Sequence, residues 1–140
     1  APRYVSWSRQ NRSQLVRIPM VKGDNCRMEL RSPDPACNPY LAIGLVLAAG
    51  LDGIEHRMVL QPPVNKNLFR PGEAEGLGLE MLPATLEEAV AIAEESDFLH
   101  KVLPEELSRR YFAEERARCE ALRAAADPAE YERIHYFNAI

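Results

Sequence analysis

Residues 27–31 (Arg-Met-Glu-Leu-Arg) alternate charged and apolar side chains without a break. Residues 15–21 (Leu-Val-Arg-Ile-Pro-Met-Val) do so nearly as regularly. Alternation is the period of a β-strand with one face buried. Val16, Ile18 and Met20 share one face of the first segment, and Met28 and Leu30 share one face of the second. Lys22-Gly23-Asp24-Asn25 between them is turn material, so the pair is expected to form an antiparallel hairpin. Pro19 suits an edge or irregular position, because it cannot donate to a ladder. Residues 4–8 read as a further short strand.

The pattern then changes period. Asn38-Pro39 supplies an N-cap and a first helical residue, opening a helix over residues 39–56. That segment is apolar nearly all round through Leu51, so it is expected to be a buried central helix. Residues 58–84 contain scattered Pro and Gly and read as a long loop. Thr85 with Glu88 makes a capping box for a helix over 85–95. Pro104 opens another over 104–126, and its many Glu and Arg residues imply a solvated outer face. Asp127-Pro128 starts a last short helix with Tyr131, Ile134 and Phe137 as apolar markers. The expected fold class is therefore α/β (α+β): an antiparallel hairpin and an edge strand packed on a buried helix, with about three further helices.

Composition narrows the functions available. At 140 residues the chain is one domain's length, and 46% apolar with 27% charged side chains is ordinary for a globular protein. A net charge of −4 leaves no basic excess to neutralise phosphates, which argues against a nucleic-acid partner. Cys26, Cys37 and Cys119 form no CxxC pair, so neither a zinc site nor a disulfide framework is suggested, and a reduced cytoplasmic compartment is expected. The apolar run over 41–51 is too short to span a bilayer, so no membrane partner is expected either. The chain opens on Ala1 rather than Met, with strand-like residues at once, and is expected to be a cut piece of a larger protein.

The chemistry lies on the hairpin's other face. If both apolar faces meet one core, Arg17 must stand on the same side as Arg27, Glu29 and Arg31. Same-face neighbours on one strand are about 6.5–7 Å apart. Three guanidinium groups around one carboxylate suit a substrate with several anionic groups, since each fork takes phosphate or carboxylate in bidentate fashion. Glu29 between cations should stay ionised, and a carboxylate near phosphates commonly shares a Mg²⁺ or Mn²⁺ ion. A salt-bridged, solvated strand face would be written with the same alternation, and the pattern alone weighs that reading as heavily. A metal site also wants several carboxylates, and the hairpin offers one.

These same residues carry a family resemblance. Residues 11–19 (Asn-Arg-Ser-Gln-Leu-Val-Arg-Ile-Pro) resemble the NRSAxxRIP segment of type I glutamine synthetases. Residues 27–31 are similar to the family's RIExR strand, residues 32–42 to its PDPxANPYLA stretch, and residues 47–54 to its LxAGLDGI helix end. Any one motif would be weak; their order and spacing together are specific. The likeness is dense over residues 1–54 and looser to the end, so residues 1–140 look like the C-terminal part of the catalytic domain, without the N-terminal domain and the first part of the catalytic domain.

The resemblance implies an ATP-dependent ligase that makes γ-glutamyl phosphate from ATP and glutamate and lets ammonia displace the phosphate. It matches Arg12, Arg17 and Arg27 to arginines on the nucleotide and phosphate side, Glu29 to a metal ligand for Mg²⁺ or Mn²⁺, and Arg31 to the residue that holds glutamate. It implies a ring-stacked homo-oligomer, a dodecamer in the intact family, to which Tyr131, Ile134 and Phe137 would offer interface. The family's flap glutamate would precede Ala1, so the chain by itself is expected to be inactive. Where some bacterial members carry a modifiable tyrosine this chain has Phe69, whose ring offers no hydroxyl to adenylylate. A γ-glutamyl–amine (polyamine) ligase of the same superfamily and a non-catalytic assembly module are the alternatives.

Other candidates have blander readings. His56 is expected to cap a helix, and His100 and His135 are isolated. Cys37, beside a helix N-terminus, is expected to be interior, and Asp34 to cap a loop.

Overall fold

The structure is a computed structural model that describes residues 1–137. Two compact units divide the chain, Ala1–Leu82 and Pro83–Ile140.

In the first unit three strands, β1 (Trp7–Arg9), β2 (Val16–Ile18) and β3 (Glu29–Leu30), form one sheet in that order. The hairpin is β2–β3, antiparallel, with Val16 opposite Leu30 and Arg17 opposite Glu29. Its turn is a 3-10 segment, Gly23–Asn25, entered through Gly23 at φ 64°, a conformation glycine adopts without a Cβ penalty. At the sheet's edge, β1 runs parallel to β2 with Ser8 beside Arg17. Residues 10–15 alone make that connection, far fewer than the dozen or more a parallel crossover usually takes.

The long loop over 58–84 is tied to this sheet rather than loose. Val64 N–H donates to Trp7 O at 2.9 Å and the Trp7 indole Nε1 donates to Gln61 O at 2.6 Å. Further along, Tyr4 and Met81 form an antiparallel bridge, closed by Val5 N–H to Glu80 O and Leu82 N–H to Arg3 O, both 2.8 Å.

Polar and apolar side chains share the first unit's interior, where Pro2 and Pro19 are buried. Ser8, Ser13 and Gln14 are buried, and Leu68 joins them. Hence one expectation fails. Helix α1 (Pro39–Glu55) forms where the sequence places it, capped by Asn38 Oδ1, which accepts from Tyr40 N–H at 3.0 Å and Leu41 N–H at 3.3 Å. Yet none of its residues is buried; Ile43, Leu47, Leu51 and Ile54 are each at least 60% exposed. Apolar periodicity reports what a helix needs to cover, and the described residues of this unit cover it only in part, leaving Leu41, Ala42, Leu45, Val46 and Ala48 half-buried.

The second unit is helical: α2 (Leu86–Glu94), α3 (Asp97–Val102), α4 (Glu105–Ala124) and α5 (Pro128–Glu132), the last running into a π-helical turn, Arg133–Phe137. Thr85 Oγ1 caps α2 by accepting from Glu88 N–H at 3.1 Å, while Glu88 Oε2 accepts from Ala84 N–H at 2.8 Å. Asp127 Oδ1 caps α5 through Ala129 and Glu130 N–H. Helix α3 was not anticipated; Ser96 Oγ caps it by accepting from Leu99 N–H at 3.3 Å. Val90 of α2 and Phe112 of α4 are the buried apolar side chains, and Glu94–Arg116 (2.7 Å) and Glu87–Arg123 pair across the two helices. The expectation that Phe137 is an apolar marker concerns a side chain outside the described residues.

Candidate functional site

The hairpin's charged face is built as the alternation requires. Because Arg17 sits opposite Glu29, the two side chains leave the sheet on one side, and Arg17 Nη1 meets Glu29 Oε2 at 2.8 Å. Arg27, two residues before Glu29 and on the same side, reaches the other oxygen, Oε1, with Nη2 at 3.0 Å. One carboxylate thus holds two guanidinium groups, one on each oxygen. The Arg17 hydrogen bond is the main cause that keeps the Glu29 carboxyl below its usual pKa; burial opposes it, and the charge of Arg17 and the contact and charge of Arg27 add to it.

Arg31 continues the same face. Its backbone N–H donates to Leu15 O at 2.9 Å, which extends the ladder one step beyond β3. Its side-chain Nε is buried with no acceptor among the described residues. A buried donor without a partner is costly, and native structures commonly satisfy such a group with water or a ligand. Arg12 stands apart: it is exposed and makes no hydrogen bond or ion pair among the described residues.

What holds Arg12's segment is the pair of residues around it, which the sequence did not single out. Asn11 Oδ1 accepts from both the N–H and the Oγ–H of Ser13 at 2.9 Å, and Asn11 Nδ2 donates to Lys66 O at 2.7 Å. Ser13 Oγ in turn accepts from Leu68 N–H at 2.9 Å. Gln14 Nε2 donates to the same Lys66 O, at 2.9 Å. The turn before β2 is thereby docked on the loop over 65–68. Only the Asn-x-Ser spacing of an Asx-type turn hinted at this; the partners are main-chain groups more than fifty residues away.

The remaining candidates behave structurally. His56 Nδ1 contacts Asp52 O at 3.0 Å and Asp52 Oδ1 at 3.2 Å, at the end of α1. His100 contacts Glu94 O, and His135 stacks on Tyr131 with ring centroids 3.9 Å apart. Asp34 Oδ1 caps its loop by accepting from Ala36 N–H at 2.7 Å. Cys26 is exposed, while Cys37 and Cys119 are half-buried; all three are free thiols. Phe69 is exposed.

Among the described residues no group of three or more His, Cys, Asp or Glu side chains could hold a metal ion. Glu29 has both oxygens on arginines. These residues do not by themselves fit a divalent cation, so the metal-ligand expectation for Glu29 calls for carboxylates that the described residues do not supply.

A family profile described as glutamine synthetase, catalytic domain, matches residues 1–134. The chain belongs to the glutamine synthetase family. It is similar to the glutamine synthetase of Methanosarcina mazei, 43% identical over 135 residues, covering 95% of this chain and 30% of that protein. It is 41% identical over 127 residues to that of Methanocaldococcus jannaschii, covering 89% of this chain and 28% of that protein. A Staphylococcus aureus glutamine synthetase is 36% identical over 138 residues, covering 97% of this chain and 30% of that one. The chain therefore spans about three-tenths of the length of these relatives. Among the described residues no helix is long and apolar enough to cross a membrane.

Proposed function

We propose that residues 1–140 are the C-terminal part of a glutamine synthetase catalytic domain and bring the anion-gripping face to an ATP-dependent glutamate–ammonia ligase. A glutamate side-chain oxygen attacks the γ-phosphorus of ATP, and the bond to ADP breaks. Ammonia then attacks the carbonyl carbon of γ-glutamyl phosphate, the carbon–oxygen bond to phosphate breaks, and the amide nitrogen loses a proton. Both steps put negative charge on phosphoryl oxygens, which fixed guanidinium groups stabilise without reorganising.

The observation that carries this reading is the Glu29 carboxylate pinned between Arg17 and Arg27. The clamp holds two cations side by side and fixes their direction, and together with Arg31 the face keeps a positive surplus. Arg17 and Arg27 take the transferred phosphate. Arg31, with a buried donor awaiting an acceptor, takes the carboxylate of glutamate. Arg12, exposed in the docked turn, reaches the nucleotide. In this reading Glu29 acts first as the clamp; no step is routed through a metal ion, because the residues here do not assemble one. The bare apolar side of α1 is covered by the remainder of the ligase, which works as a homo-oligomer.

The test compares the 140-residue chain with a full-length protein that contains it, in a γ-glutamyl transfer assay. Turnover by the full-length protein with ammonia and none by the chain alone is expected. Turnover by the isolated chain would refute its being an incomplete site. Preference of the full-length protein for polyamines over ammonia would replace the nucleophile, and no turnover with either would leave an assembly module.

A further inference from the structure

Gln10 lies between the parallel strands and has φ 77°, a left-handed conformation that a non-glycine residue rarely adopts. Such strain persists where the surroundings impose it and collects at functional positions. Here it has a visible result: the Gln10 carbonyl oxygen accepts from Arg17 Nε–H at 2.9 Å. Its side chain is held too, with Nε2 at 2.9 Å from Met20 Sδ. Arg17 is thus gripped at Nε by a main-chain oxygen and at Nη1 by Glu29, while Nη2 has no partner among the described residues. A planar guanidinium held at two of its nitrogens cannot swing, so the third points in one direction.

We infer that Gln10 is a positioning residue for phosphoryl transfer, whose left-handed backbone presents its carbonyl to Arg17 and so aims Arg17 Nη2 at the transferred phosphate. The inference rests on the phosphate-side reading of Arg17. It assigns the work to the backbone of Gln10 and gives the side chain only a tether. The left-handed Gln10 is the first residue of the short link over residues 10–15, where the chain leaves β1 to return alongside it as β2.

The experiment measures kcat and the KM for ATP in the full-length ligase for Gln10→Val, Gln10→Gly, Arg17→Lys and the double variant Gln10→Val/Arg17→Lys, well below each melting temperature. Valine resists positive φ, so Gln10→Val turns the carbonyl away; kcat falls about tenfold to a hundredfold with the KM for ATP changed less. Glycine reaches that φ freely, so Gln10→Gly recovers most of the loss although the side chain is gone. In the Arg17→Lys background, which lacks Nε–H, adding Gln10→Val has little further effect, because both changes remove one interaction. Equal loss in Val and Gly variants, or full additivity with Arg17→Lys, would overturn the inference. Unchanged kcat in Arg17→Lys alone would instead overturn the reading of Arg17.

Discussion

Arg17 and Glu29 face each other across the hairpin, 2.8 Å apart, and the pair leaves Glu29's second oxygen to Arg27. The arginine face is therefore organised by its single acid. Replacing Glu29 with Gln keeps the shape but removes the charge that holds two guanidinium groups in place. In a full-length protein with the proposed ligase activity, kcat should fall by about two to three orders of magnitude, a loss typical of disrupted electrostatic preorganisation. Steady-state kinetics checks this, and a change under threefold would contradict the clamp.

Arg31, read as the glutamate-side residue in the proposed function, should fail differently. Arg31→Ala removes a donor that the described chain leaves unpartnered, so the loss should appear where its acceptor binds. The KM for glutamate should rise about tenfold or more while that for ATP changes little. Equal loss for both substrates would count against a glutamate-side role.

The pH dependence of the clamp has a definite sign. The Glu29 carboxyl is held below its ordinary value of 4.5, chiefly by the Arg17 hydrogen bond. A lowered folded-state pKa stabilises the fold above the unfolded value, and that contribution disappears as pH falls through the folded value. The clamp is therefore fully present at neutral pH and opens as pH falls below 4.5 through the folded value. Titration of the Glu29 carboxyl carbon by NMR should give a midpoint under 4.5 that moves up in Arg17→Ala.

Much of this face was legible beforehand because a strand's side-chain period is two, so alternation in residues 15–21 and 27–31 leaves one choice of parity for Arg17 and Glu29. The caps at Asn38, Thr85 and Asp127 were legible for a local reason: donor and acceptor lie within four residues. What escaped was non-local or too short. The direction of β1 depends on the turn at Gln10, and the docking of Asn11 and Ser13 on Lys66 and Leu68 uses main-chain groups that any sequence would present. Helix α3 has six residues, less than two turns, so no apolar period could develop. The burial expected of α1 came from a sound rule, but the described residues half-cover one side of the helix and leave Ile43, Leu47, Leu51 and Ile54 exposed.

Ser13 should matter for the loop rather than for charge. Ser13→Ala removes the acceptor of the Leu68 N–H, a group at a buried position. A buried donor left without a partner costs about 1–2 kcal/mol. Hydrogen exchange should show the Leu68 amide losing protection by about tenfold, while amides in α2 and α4 keep theirs.

Phe112 offers the contrasting test in the helical unit. It is 6% exposed, and truncation to alanine should cost about 3–4 kcal/mol through lost burial and the cavity left behind. Denaturant unfolding followed through far-UV helicity would detect it; a loss below 1 kcal/mol would mean that α2 and α4 do not depend on this ring.

Ser8, Ser13 and Gln14 are half of the six buried positions in the first unit, where most domains keep hydrocarbon. Exposing apolar surface raises the heat capacity on unfolding and exposing polar surface lowers it. A calorimeter would consequently record a shallow step as this unit melts, and the curvature of its stability with temperature would be slight. Cooling would weaken it less than a unit with a wholly apolar interior, since only part of what joins it fades in the cold.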